Sequence, residues 1–378
     1  MRPASPSTAR AMNDRRALHL LQEQGPLTAA QLKEHTGLSR PSVADLVERL
    51  CAAGLIEVVG ESGAQRRGPN AKVYGIVAGR AHLAALDVRT ESVRVVVADL
   101  LGRPLAEAAQ PTSSAAEAVE LVARTAAEAG AAVLHTVCAG APGLIDPASG
   151  ELRNTVKLPN WHRELAGALQ RRELASRVIV ENETNLAAVA ERAEGASRQA
   201  DSFVLLWLGD GVGAALVLDG RLRRGASGGA GELGFLPVPG TAGLPSADHC
   251  EGGFHSLVGG AAVAALAREH GFGGRAEAAV RTAVAAGPEG KAFLDALAER
   301  LALGAAAVTA VLDPGRVVLG GEIGLAGGPA LAELVADRLR GLTPVPTAVL
   351  ATELGDGAVL RGALLTARAA AQDAVFAS

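Results

Sequence analysis

"VIVENETNLAAVAE", Val178 to Glu191, joins a run of strand formers, Val178 to Val180, to an alanine-rich, helix-like run, with an Asn-Glu pair at the junction. β-Branched residues favour pleated backbone and alanine favours helix, so a strand hands over to a helix here. The Glu183 carboxylate at such a junction has three readings: a general base, a ligand-gripping acid, or a surface acid without chemistry.

Working outward, the same alternation recurs on both sides. Strand-like "HLAALDV" (His82 to Val88) and "SVRVVVADL" (Ser92 to Leu100) precede a helical stretch near Ala115 to Ala129. Next come "AVLHTVCAG" (Ala132 to Gly140), a helix around Glu164 to Leu174, and "RVIVEN". A second set begins at "FVLLWLGDGVGAALVLDG" (Phe203 to Gly220) and continues through "RVVLGGEI" and "TAVLAT". Two similar α/β halves enclosing a ligand cleft are expected over residues 81–378. Glycines follow several strands, among them Gly140, the series Gly209, Gly211 and Gly213, and the pair Gly320 and Gly321. Each lets the backbone approach a ligand closely, and each taken singly reads equally well as a turn.

Residues 1–80 have a different character. They hold 11 Lys+Arg against 7 Asp+Glu, a net +4, whereas the remainder holds 25 against 33, a net −8. A basic head suits a polyanion and an acidic body does not. Thr28 with Gln31 has capping-box spacing for a short helix that Gly37 ends. Ser39 or Arg40 caps a second helix with Pro41 in its first turn. In that helix Val43, Leu46, Val47 and Leu50 form one buried stripe at helical spacing, and Arg40, Ser42 and Arg49 point outward. Helix, tight turn, helix is a geometry that reads a DNA major groove. The stretch "GESGAQRRGPNAKVYGIV" then forms a basic wing between two short strands, with Arg66 and Arg67 at its tip. The expected DNA-facing set is Ser39, Arg40, Pro41, Ser42, Arg49, Arg66 and Arg67.

The 378 residues are 49% hydrophobic and 20% charged, which fits folded domains and excludes disorder. The apolar stretch Leu301 to Leu312 is well short of the ~20 residues that a bilayer span needs. The N-terminus has no apolar core of a secretory signal, and Cys51, Cys138 and Cys250 form no paired framework. A cytoplasmic protein without membrane contact is expected. Aromatic content of 2% argues against single-strand binding by base stacking.

Taken in order, the blocks "GRAHLAALDVRTESVRVVVADLLGRPL", "AGAPGLIDPASGELRNTVKLPNW", "ENETNLAAVAE", "LGDGVGAALVLDGRLRRGASGGAGELGFLPV" and "DPGRVVLGGEI" resemble the ROK family of repressors, open reading frames and sugar kinases. The head resembles that of the family's repressor branch, and the likeness runs from about Ala11 to Ala370. The resemblance implies a winged helix-turn-helix followed by a two-lobed, actin-like sugar-kinase fold. It also implies a sugar or sugar-phosphate effector between the lobes, a double-stranded DNA operator, and a homodimer or dimer of dimers. It further implies a transcriptional regulator that represses sugar or carbohydrate metabolism genes, with a degenerate sugar-kinase-like sensor domain.

The chain departs from the family's kinase pattern at several positions. The phosphate loop Asp-x-Gly-Gly-Thr becomes Asp87-Val88-Arg89-Thr90, and its side chains block the close backbone approach that phosphate needs; Arg89 could instead attract an anion, but reads first as a structural surface arginine. The family's catalytic aspartate becomes Glu183, whose extra methylene moves the carboxylate on the order of 1 Å, a misplacement that costs about a hundredfold in rate. The family's metal-binding histidine becomes Phe235, and only Cys250 remains of the zinc cysteines, with His249 and His255 nearby. Register puts His255 at a sugar-binding Glu. These departures predict no phosphoryl transfer, no ATP and no zinc. By resemblance Gly140, Asn182, Glu183, Glu232 and His255 contact the ligand. The alternatives are an ATP-dependent sugar kinase with an added DNA-binding domain and a ligand-blind DNA-binding protein.

Overall fold

The computed structural model describes residues 6–62, 70–146, 149–153, 159–198, 200–246 and 248–377. The head opens with α1 (Pro6–Gln24), followed by β1 (Leu27–Thr28), α2 (Ala29–Thr36) and α3 (Arg40–Ala52). Thr28 and Gln31 close the expected capping box, and Gly37 ends α2 in the left-handed conformation at φ 72°. Ser39 caps α3 by accepting from the Ser42 N–H at 3.3 Å. Val43, Leu46, Val47 and Leu50 are buried as one stripe against Leu18, Leu21 and Leu32. β2 (Ile56–Ser62) and β3 (Ala71–Ile76) pair antiparallel from Ile56 opposite Ile76, giving a three-stranded sheet in the order β1-β3-β2. Arg66 and Arg67 lie outside the described residues.

The body holds two five-stranded sheets. In the first lobe β4 (His82–Val88) is flanked by β5 (Ser92–Asp99), with β6 (Pro104–Pro111) beyond it; α4 (Ala115–Glu128) follows. On the other side of β4 lie β7 (Leu134–Ala141) and, after α5 (Trp161–Arg171), β8 (Ala175–Asn182), which runs into α6 (Glu183–Glu194). The second lobe repeats this plan around β9 (Phe203–Leu208), with β10 (Val212–Leu218) and β11 (Arg221–Arg223) on one side. Helices α7 (His255–Val258), α8 (Gly260–Glu269), α9 (Ala276–Ala286) and α10 (Lys291–Leu312) intervene before β12 (Arg316–Gly320). Then α11 (Gly321–Leu342), β13 (Ala348–Ala351) and α12 (Ala358–Val375) complete the chain. In each lobe the first strand pairs antiparallel with the second and parallel with the fourth, so the two sheets share one strand order.

The last helix returns to the first lobe. α12 packs along α6 and across β4 and β7. A β-carbon on Gly362 would stand 1.9 Å from the Leu186 carbonyl oxygen, so only glycine permits this crossing. The far end of α12 meets the head, where Arg15 pairs with Asp373 and the His19 ring stands edge-on to Phe376 at 5.9 Å. Helix α1 and its contact with α12 are additions to the sequence reading. Among the described residues no helix is long and apolar enough to cross a membrane.

Candidate functional site

Between the lobes lies a cleft enclosing about 820 Å³. From the first lobe it receives the β4–β5 turn and the start of α6; from the second, the end of β9, the segment after β11, and the starts of α7 and α11. Glu183, Glu232 and His255 all line it, so three of the five expected ligand residues converge. Glu232 is held by Gly231, whose φ is 93° and whose β-carbon would fall 1.9 Å from the Ala214 oxygen. Gly231 accepts from the Ala214 N–H at 2.7 Å, which fixes the loop against β10. Gly321, at φ 75°, likewise approaches the β9 backbone too closely for any β-carbon and so starts α11 with Glu322 facing the cleft.

The expectation for Arg89 requires correction. Its side chain is only 29% exposed and turns inward. Nε lies 2.8 Å from Asp87 Oδ1, and Nη1 lies 3.1 Å from Glu322 Oε1 and 3.6 Å from Glu183 Oε2. The guanidinium also sits 5.8 Å from the ring centre of Trp207 on β9, within cation–π reach. Burial opposes its charge, but the carboxylates of Asp87, Glu183 and Glu322 outweigh burial and raise its pKa. Its backbone oxygen is 3.2 Å from His162 Nε2. Burial lowers the His162 pKa, so the neutral ring donates to that oxygen from Nε2.

Three carboxylates share this single cation. Burial pushes the Glu183 carboxyl up to about 7; Arg89 opposes the shift, and Asp87 and Glu322 add to it. Asp87, almost fully buried, is raised for the same first reason.

Other expected residues serve the fold. Asn182 caps α6: its Oδ1 accepts from the Thr184 and Asn185 N–H groups at 2.9 and 3.3 Å, and its Nδ2 donates to the Gly143 oxygen at 2.9 Å. Its amide oxygen is thereby committed to the backbone, while Nδ2 keeps a second N–H beyond its bond to Gly143. The reading of Gly140 is corrected, because it faces the core: a β-carbon there would meet Val359 at 2.6 Å and Leu186 at 2.8 Å. In the head, Arg40, Pro41 and Ser42 are exposed at the start of α3, and Ser39 is exposed while capping it. Arg49 departs from the DNA-facing set. Its Nη2 lies 2.6 Å from Asp14 Oδ1 on α1, its Nε lies 3.3 Å from Asp14 Oδ2, and it also pairs with Asp45.

Against this geometry, a ROK family model matches residues 83–370 and a MarR family model matches residues 12–68. The chain belongs to the ROK family. The bifunctional enzyme NanE/NanK of Brucella suis is 37% identical over 194 residues, which is 50% of this chain and 34% of that one. This ROK chain therefore spans about a third of the length of that relative. The DNA-binding transcriptional dual regulator NagC of Escherichia coli is 25% identical over 343 residues, covering 82% of this chain and 80% of NagC. The crystal structure of a ROK family transcriptional regulator described as a homologue of the E. coli MLC protein superposes with a TM-score of 0.78 at 20% identity, covering 97% and 98% of the two chains.

The zinc that ROK resemblance implies does not fit the residues present. A phenyl ring at Phe235 offers no ligand atom, and one thiol at Cys250 with His249 and His255 falls short of four donors. Among the described residues no group of three His, Cys, Asp or Glu is arranged to hold a metal ion. Sequence reasoning missed Trp207 and Glu322. The glycine pair before Glu322 was legible as a close-approach signal, but the carboxylate it delivers was not.

Proposed function

We propose that this ROK protein is a DNA-binding transcription regulator of carbohydrate metabolism genes whose kinase-like body senses a small hydroxyl-rich molecule and does not phosphorylate it. The observation that carries the reading is the head: a capped α3 offering Arg40, Pro41 and Ser42 to solvent beside a β2–β3 hairpin. Such a helix N-terminus enters a major groove, and the basic residues Arg66 and Arg67, between β2 and β3 in sequence, would contact phosphates or the minor groove. NagC, a regulator by name, is similar over most of both chains. A homodimer on a two-fold related operator, with half-sites about one helical turn or a multiple apart, follows from the way such heads dock. Repression is the proposed sign of regulation, and neither zinc nor ATP has a part in it.

The cleft supports the sensing role. Arg89 fills the β4–β5 turn with a side chain tied to three carboxylates, which is unfavourable for a nucleotide's phosphates. One observation favours the kinase reading instead: Glu183, lifted to about 7, has the proton affinity of a useful general base. A coupled phosphorylation assay over a hexose panel, run beside operator binding by the same preparation, tests both. Specific DNA binding without turnover supports the regulator. Turnover abolished by Glu183→Ala would establish the kinase.

A further inference from the structure

The cleft's charge inventory goes beyond the reading of a general sugar sensor, on which it rests. Six carboxylates line the cleft against two guanidiniums, those of Arg89 and Arg275. Both guanidiniums are already paired with carboxylates of the protein. Arg89 is shared among Asp87, Glu183 and Glu322. Arg275 lies 2.8 Å from Glu277 and 3.5 Å from Asp210. Glu232 has no charged partner among the described residues, and burial alone acts on its carboxyl.

We propose that the cleft selects its ligand by charge, taking a hydroxyl-rich molecule without phosphate or carboxylate and binding it more tightly when it bears an amine. The 820 Å³ of space admits a sugar-sized molecule, and the excess carboxylates accept hydrogen bonds from hydroxyl or ammonium groups. A phosphate would bring further negative charge into a concave, already negative site, where low-dielectric walls focus the field. The arginine best placed to offset it is held by the interlobe contacts just described, so recruiting it means breaking them. Glu232, without such a partner, is the natural seat for an ammonium group; Glu183 and Glu322 then accept from hydroxyls nearer Arg89.

The test is calorimetric titration of the full chain, slightly below neutral pH, with ligands that differ in charge: glucosamine, glucose and glucose 6-phosphate, then the corresponding mannose series. Within a series that binds, affinity should fall from amine to neutral sugar to phosphate, with the phosphate about tenfold or more weaker than its parent. Added salt should narrow the gap, as electrostatic selection requires. Glu232→Gln should reduce the advantage of the amine, and a matching thermal-unfolding curve would show that the variant still folds. A phosphate that binds as tightly as its parent overturns the charge selection and leaves the sensor reading standing. Binding of DNA with no response to any member of either series would instead overturn the sensor reading and this proposal with it.

Discussion

The guanidinium of Arg89 lies 3.1 Å from the carboxylate of Glu322, and the two residues belong to different lobes. Arg89 stands on the turn after β4, Glu322 in the first turn of α11. With Asp87 and Glu183 beside it on the first lobe and Trp207 beneath it on the second, Arg89 ties the two sides of the cleft. Arg89→Ala should cost about 2 kcal/mol near pH 8, between the values for exposed and fully buried pairs, because the carboxylates would lose their shared cation. Protonation relieves the remaining repulsion, so the loss should shrink at acidic pH. Denaturant unfolding at both pH values checks the size and the direction.

Glu183 gives a pH dependence of defined sign. Its folded pKa of about 7 lies above the ordinary 4.5, so the folded state holds a proton that the unfolded state releases first. Its contribution to stability is fully present below the unfolded value and is lost as pH rises from there through about 7. The span corresponds to about 3 kcal/mol at most. Glu183→Gln, which cannot ionise, should flatten this part of the stability profile and gain on the wild type between pH 5 and pH 8. Unfolding free energies of the two proteins across that range decide the matter; parallel profiles would contradict it.

Asn182 and Gly140 should behave as structural residues. Asn182→Ala removes the α6 cap and should cost about 1 kcal/mol. Gly140→Ala drives a methyl group into Val359 and Leu186 and should cost about 2 kcal/mol. For folded variants, calorimetry should return nearly the wild-type ligand affinity in both cases, whereas a direct contact would lose affinity with little change in stability.

In the head, stability and DNA reading should separate between two arginines. Arg49→Ala breaks the bond between α3 and α1 and should cost about 1 kcal/mol of stability, with Asp14→Ala non-additive to it in a double-mutant cycle. Arg40, exposed at the start of α3, should leave stability nearly unaltered on change to Ala and weaken operator binding by about tenfold. Thermal unfolding and a gel-shift titration of the same variants separate the two effects.

Much of the fold was legible because local signals agreed with it. The Thr28–Gln31 capping box, the Gly37 stop, the Ser39 cap and the α3 stripe are short-range features, and each appears where the sequence puts it. The two sets of strands were legible from alternating apolar runs. Long-range partners were not. Arg49 has outward spacing on α3, yet Asp14 lies 35 residues away and captures it. Arg89 looked superficial because nothing nearby in sequence announces Glu322, 233 residues on. At Asn182 a helix cap and a ligand contact call for the same amide, and at Gly140 close helix packing and close ligand approach call for the same missing β-carbon, so sequence alone does not separate the two roles.

The head is proposed to recognise specific duplex DNA. Genome-wide footprinting of the wild-type protein beside Arg40→Ala tests it most directly. Discrete sites with two-fold related halves near carbohydrate metabolism genes are expected, with loss of occupancy in the variant. Occupancy without sequence preference, or sites unchanged by Arg40→Ala and by a companion Ser42→Ala, would contradict it.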